Sequence, residues 1–108
     1  MWPELFVLAL ATTPALAGPA FTPVPVPEHV YAGGWEHFVG GGLAVFDCDG
    51  DGLPELLAAG GENAATLLRN RSDAGALRFE ADTPEALTEP GMIGAYPLDI
   101  DNDGYIDL

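Results

Sequence analysis

Asp47-Cys48-Asp49-Gly50-Asp51-Gly52-Leu53-Pro54-Glu55 and Asp99-Ile100-Asp101-Asn102-Asp103-Gly104-Tyr105-Ile106-Asp107 follow one pattern, D-x-D-x-D-G-x-x-[DE]. In a tight backbone turn the carboxylates at positions 1, 3 and 5 point toward one centre. Position 7 can add a main-chain carbonyl and position 9 closes the shell, which makes an oxygen cage suited to Ca²⁺. Glycine at position 6, Gly52 and then Gly104, permits a turn that a Cβ resists. Asp and Gly also favour turns that hold no metal, so a solvated acidic turn is the competing reading.

The flanks separate these loops from an EF-hand, which needs a bidentate Glu at position 12 and a helix on each side. Position 12 of the first loop is Ala58, and Gly40-Gly41-Gly42 lies just upstream, where a helix is disfavoured. Leu56-Leu57-Ala58-Ala59 after the loop is a short apolar run stopped by Gly60-Gly61, the pattern of a buried strand. The loops are therefore expected to connect strands.

Four strands are expected between the loops: Leu43 to Phe46, Leu56 to Ala59, Ala65 to Arg69 and Leu77 to Ala81. Gly, Asp, Asn and Ser clusters separate them, the punctuation of antiparallel hairpins. Thr83 to Glu89 has the composition of one helical turn, with Thr83 as N-cap and Pro84 at the first helical position. A further strand is expected to begin over Gly94 to Leu98. Asp99 follows Asp47 by 52 residues, a period that belongs to four-stranded propeller blades.

Three basic residues against seventeen acidic ones give a formal charge of -14, and eight of the acids sit in the two loops. That balance argues against nucleic acid or an anionic membrane as partner, since both reward Lys and Arg. Leu5 to Ala11 is an apolar stretch too short to span a bilayer, and Ala15-Leu16-Ala17 follows as a small-residue cleavage site. Residues 1–17 are thus expected to be a secretory signal peptide, although Met1 to Glu4 carries no Lys or Arg. Residues 18–34 form a Pro- and Gly-rich lead-in, and no other apolar run approaches membrane-spanning length.

Gly42 to Leu56 resembles the FG-GAP or VCBS-type repeat, the calcium-loop blade of integrin α-chain propellers and of many secreted bacterial proteins, and Gly94 to Leu108 resembles it further. Leu68 to Ser72, Leu77 to Glu80 and Thr83 to Leu87 are similar to the stretch between calcium loops in the acidic cartilage-protein-like branch. The resemblance covers about residues 35–108. It implies an all-β fold of antiparallel four-stranded β-propeller blades with calcium loops, here an incomplete propeller of one blade and the start of the next. It also implies that Asp47, Asp49, Asp51 and Glu55 hold one Ca²⁺ through side chains with the Leu53 carbonyl. Asp99, Asp101, Asp103 and Asp107 with the Tyr105 carbonyl hold a second. Glu55 stands where the family has Asp, and Cys48 takes a position usually aliphatic, read here as a small buried hydrophobe.

The chain ends at Leu108, inside the strand expected after the second loop, so it is read as the N-terminal piece of a longer protein. No Ser-His-Asp order, H-E-x-x-H, P-loop or dinucleotide fingerprint occurs. His29 and His37, beside Glu28 and Glu36, are assigned to surface or packing roles, and Asn70-Arg71-Ser72 to a hairpin turn rather than a glycosylation site. The expected function is a non-catalytic, secreted, calcium-stabilised segment presenting loops to an extracellular protein or glycan. The alternative is the noncatalytic propeller part of a larger secreted hydrolase or lyase.

Overall fold

The computed structural model describes residues 18–108, so the expected signal peptide lies outside the described residues. Four strands, β1 (Leu43–Phe46), β2 (Glu55–Ala58), β3 (Thr66–Asn70) and β4 (Phe79–Ala81), form one sheet in the order β1-β2-β3-β4. All neighbouring pairs are antiparallel. The only helical pieces among the described residues are two three-residue 3₁₀ turns, Trp35–His37 and Glu85–Leu87. No described helix is long and apolar enough to cross a membrane. The fold is the all-β, four-stranded antiparallel blade that the 52-residue period implies.

Alternation decides which face is buried. Ala44 and Phe46 of β1 point inward while Leu43 and Val45 face out, and Leu57 of β2 is fully buried beside Leu67 of β3. These residues and Ala65 make the core, with Leu87, Met92 and Ala95 packed against it. Leu87 and Met92 reach the core because the chain after β4 folds back over the sheet. Gly42 N–H donates to the Ile93 carbonyl at 3.2 Å, and Gly61 N–H donates to that of Met92 at 2.9 Å.

Gly61 is where three segments meet. It bridges Ala32 on one side and Met92 on the other, its φ is +66°, and a Cβ there would collide with the Ala32 carbonyl oxygen. Only glycine fits that combination of left-handed backbone and close approach. His29 ties the lead-in down nearby: its Nε2 lies 2.7 Å from the Ala59 carbonyl and its Nδ1 2.9 Å from Thr66 Oγ1. Its role is packing, as expected.

Beyond one-residue shifts of β2 and β3 from their expected bounds, three expectations change. Thr83 does not cap the turn at Glu85; its Oγ1 accepts the Leu67 N–H at 2.9 Å, satisfying β3, and Pro84 takes the cap position. Gly94 to Leu98 is not a strand: Leu98 alone bridges, to Asp107, and the preceding Pro97 has no N–H to offer a ladder. β4 begins at Phe79 rather than Leu77, because the hairpin turn runs on through the Asp73–Ala76 bridge to Arg78.

Replacing Leu57 with Ala should lower the unfolding free energy of the purified chain by about 2–5 kcal/mol, by removing a fully buried side chain. Leu43→Ala, on the exposed face of the adjacent strand, should change it by no more than about 0.5 kcal/mol in the same urea titration.

Candidate metal centres

The first acidic loop is the turn of the β1–β2 hairpin, whose register pairs Phe46 with Glu55. The second loop closes in the same register: Leu98 and Asp107 bridge antiparallel and exchange hydrogen bonds of 3.1 and 2.7 Å. Position 9 is thus brought back beside the residue that precedes position 1 in both loops.

Inside each loop the carboxylates accept backbone N–H groups in one shared pattern. The position-1 carboxylate accepts the position-6 N–H, Gly52 to Asp47 Oδ2 at 2.8 Å and Gly104 to Asp99 Oδ2 at 3.0 Å. Position 3 accepts from position 5, Asp51 to Asp49 and Asp103 to Asp101, both at 3.2 Å. Position 5 accepts from position 7, Leu53 to Asp51 at 2.8 Å and Tyr105 to Asp103 at 2.9 Å. Position 9 reaches back to the position-2 N–H, Cys48 to Glu55 at 2.9 Å and Ile100 to Asp107 at 3.0 Å. Glu55 matches the bond made by Asp107 despite its extra methylene, and it does so from a fully buried site at the start of β2.

Two backbone positions make this possible. Position 6 has positive φ, +82° at Gly52 and +90° at Gly104, as the motif requires. Position 4 does too, +76° at Gly50 and +61° at Asn102, a constraint that the sequence reading overlooked. The signal was there, since Gly and Asn are the residues that most readily take the left-handed region.

The carboxylates at positions 1, 3 and 9 converge: Asp47, Asp49 and Glu55 offer oxygens all within 4.8 Å of one another, and so do Asp99, Asp101 and Asp107. Oxygens bound at about 2.3–2.6 Å on opposite sides of one Ca²⁺ lie about 5 Å apart, so the spacing and the all-oxygen donor set fit that ion. Asp51 and Asp103 are not gathered into these groups; each turns its carboxylate to the position-7 N–H instead. Leu53 and Tyr105 contribute those N–H groups. A cavity of about 460 Å³ lies between the two loops, lined by Asp47 to Gly50 on one side and Gly104 to Ile106 on the other.

The Gly52 N–H is the main cause that lowers the Asp47 pKa below its ordinary 3.8; desolvation opposes it and the Gly50 N–H adds to it. Asp47 is therefore charged throughout the neutral range. Its contribution to stability is complete above pH 3.8 and is lost as pH falls through the lowered value.

Cys48 is exposed, not the buried hydrophobe expected. Its N–H turns inward to Glu55, which sends the side chain out to where the Arg69 Nη1 donates to Sγ at 2.8 Å. Desolvation, then the Glu55 carboxylate, raises its pKa, so at neutral pH the group is a thiol. Neither Arg69 nor the buried Asn70 figured in the sequence reading of this site. Asn70 Nδ2 donates to the Pro54 carbonyl at 3.0 Å, anchoring the loop exit and occupying the amide that a glycan would need. Glu36, His37 and Glu62 also come within 4.8 Å of one another, a grouping across 26 residues that no motif announced.

The family model described as an FG-GAP-like repeat matches residues 47–108. No curated protein and no solved structure gives a significant match.

Gly52→Ala should destabilise the chain by about 1–2 kcal/mol, the cost of a Cβ in left-handed backbone, because the space around it is open and no clash adds to that. Gly50→Asn should be nearly neutral, since Asn102 holds the equivalent place in the second loop. Equal losses in a chemical denaturation series would show that the two φ values do not govern the loop.

Proposed function

The chain belongs to the FG-GAP-like repeat family, and from that premise we propose that it is a calcium-binding β-propeller segment of an exported, non-catalytic protein whose loops meet an extracellular protein or glycan. One observation carries the metal reading. Two loops that differ at positions 2, 4, 7, 8 and 9 share four carboxylate-to-backbone bonds and gather carboxylates from the same three positions, differing only in that Asp47 Oδ1 accepts the position-4 N–H and Asp99 Oδ1 the position-5 N–H.

Asp47, Asp49, Asp51 and Glu55 would hold the first ion together with the Leu53 carbonyl, and Asp99, Asp101, Asp103, Asp107 and the Tyr105 carbonyl the second. A bound divalent cation supplies the positive charge that offsets carboxylates held this close. The backbone N–H groups spread along each loop orient the carboxylates at positions 1, 3 and 9 beforehand, so less conformational freedom is lost there on binding, while Asp51 and Asp103 would have to turn inward. Export rests on Leu5 to Ala11 and the Ala15-Leu16-Ala17 site, and secreted material should begin at Gly18 on N-terminal sequencing. Recovery of chain that keeps Met1 from the culture medium would contradict cleavage there.

Calorimetric titration with CaCl₂ should give a heat of binding, and the thermal midpoint should rise from chelator to calcium. At a hundredfold excess over Kd the gain is about 2.7 kcal/mol per site. Glu55→Gln keeps an acceptor for the Cys48 N–H but removes charge, and should weaken the first site at least about tenfold with the metal-free fold retained. Superimposed melting curves with no heat would leave the loops as acidic turns.

A further inference from the structure

The two loops share a hydrogen-bond frame but not an electrostatic setting. β3 runs alongside β2 and brings Arg69 to the first loop, with its side chain only 21% exposed. Arg69 Nη1 lies 3.7 Å from Asp49 Oδ2, one of the three gathered carboxylates, and donates to Cys48 Sγ at 2.8 Å. On the other side its Nε lies 3.5 Å from Asp82 Oδ2, just past β4, yet that buried Nε makes no hydrogen bond. The guanidinium is suspended between two carboxylates and locked to neither.

The chain has only two other basic side chains, and both are engaged elsewhere: Arg71 and Arg78 pair with Glu80. Among the described residues no Lys or Arg is paired with the second loop. The two loops therefore differ by one fixed positive charge.

We propose that Arg69 sets the cation affinity of the first loop, standing as counter-charge to Asp49 in the metal-free chain and competing with the divalent ion for that carboxylate. This rests on the calcium reading of the loops. A guanidinium within reach of Asp49 lies near any ion held there. At about 6 Å, repulsion between charges of +1 and +2, even with the dielectric constant of water, changes affinity about tenfold. Ion entry frees Arg69 to shift toward Asp82, where its Nε lacks a partner. The second loop has no such competitor and binds first as calcium rises.

The test uses the full chain, with Asp101→Ala silencing the second loop so that CaCl₂ calorimetry reads the first alone. Arg69→Met, which keeps the bulk and removes the charge, should tighten calcium binding about tenfold and lower the melting temperature in chelator. Opposite signs in the two conditions are not what loss of a merely structural residue gives. Arg69→Lys should stay close to the parent. If Arg69→Met does not fold, Asp82→Asn serves in its place: with Asp82 neutral the guanidinium falls wholly to Asp49, and the first-loop affinity should drop severalfold. Unchanged or weaker calcium binding in Arg69→Met, or unchanged or tighter binding in Asp82→Asn, overturns the competition while leaving the calcium reading intact. Absence of any binding heat in the parent and in the unsubstituted chain overturns both.

Discussion

The position-1 carboxylate holding the position-6 N–H is the contact on which the rest depends. In the first loop Asp47 takes the N–H groups of both Gly50 and Gly52 at 2.8 Å, folding six residues around one side chain. That fold returns Glu55 to face Phe46 and so sets the β1–β2 register. A slip of one residue would turn a strand over, so that either Phe46 or Leu57 left the core for the solvent face. The acidic loop is thus a register device for the sheet as well as a candidate cation site.

Charge and packing press in opposite directions here. The loop crowds carboxylates in a chain of net charge -14, while the core it organises is small, built around Ala44, Phe46, Leu57, Ala65 and Leu67. Backbone N–H groups take up part of the negative charge in both loops. Arg69 takes up more in the first, and a divalent ion completes the balance in the reading proposed. The anchors around the loop belong to the same solution: Asn70 holds the Pro54 carbonyl, and Glu55 is tolerated at a fully buried site because its carboxylate accepts the Cys48 N–H.

The segments outside the strands hold the sheet by backbone bonds as well as by side chains such as His29 and Met92. Ala32 and Met92 both bridge Gly61, and Gly42 N–H bonds the Ile93 carbonyl. Such contacts leave little compositional trace apart from the glycines themselves. That is why the chain after β4 looked like a new strand at Gly94 when it is a strap returning to the start of β1.

What the sequence by itself determined is the local part. A short apolar run between Gly42 and Asp47 placed β1 to the residue, and D-x-D-x-D-G identified both loops together with their position-6 turns, because the loop bonds close within two to seven positions along the chain. The four-strand blade followed from turn residues and a 52-residue period. Only the tertiary structure decided the rest. Thr83 serves Leu67 across 16 residues instead of capping its own turn, and Cys48 is exposed under Arg69, 21 residues away. Asp51 and Asp103 stay outside the gathered carboxylates. In each case the governing partner is supplied by strand register or by competition among nearby donors, and neither is encoded in the spacing of residues along the chain.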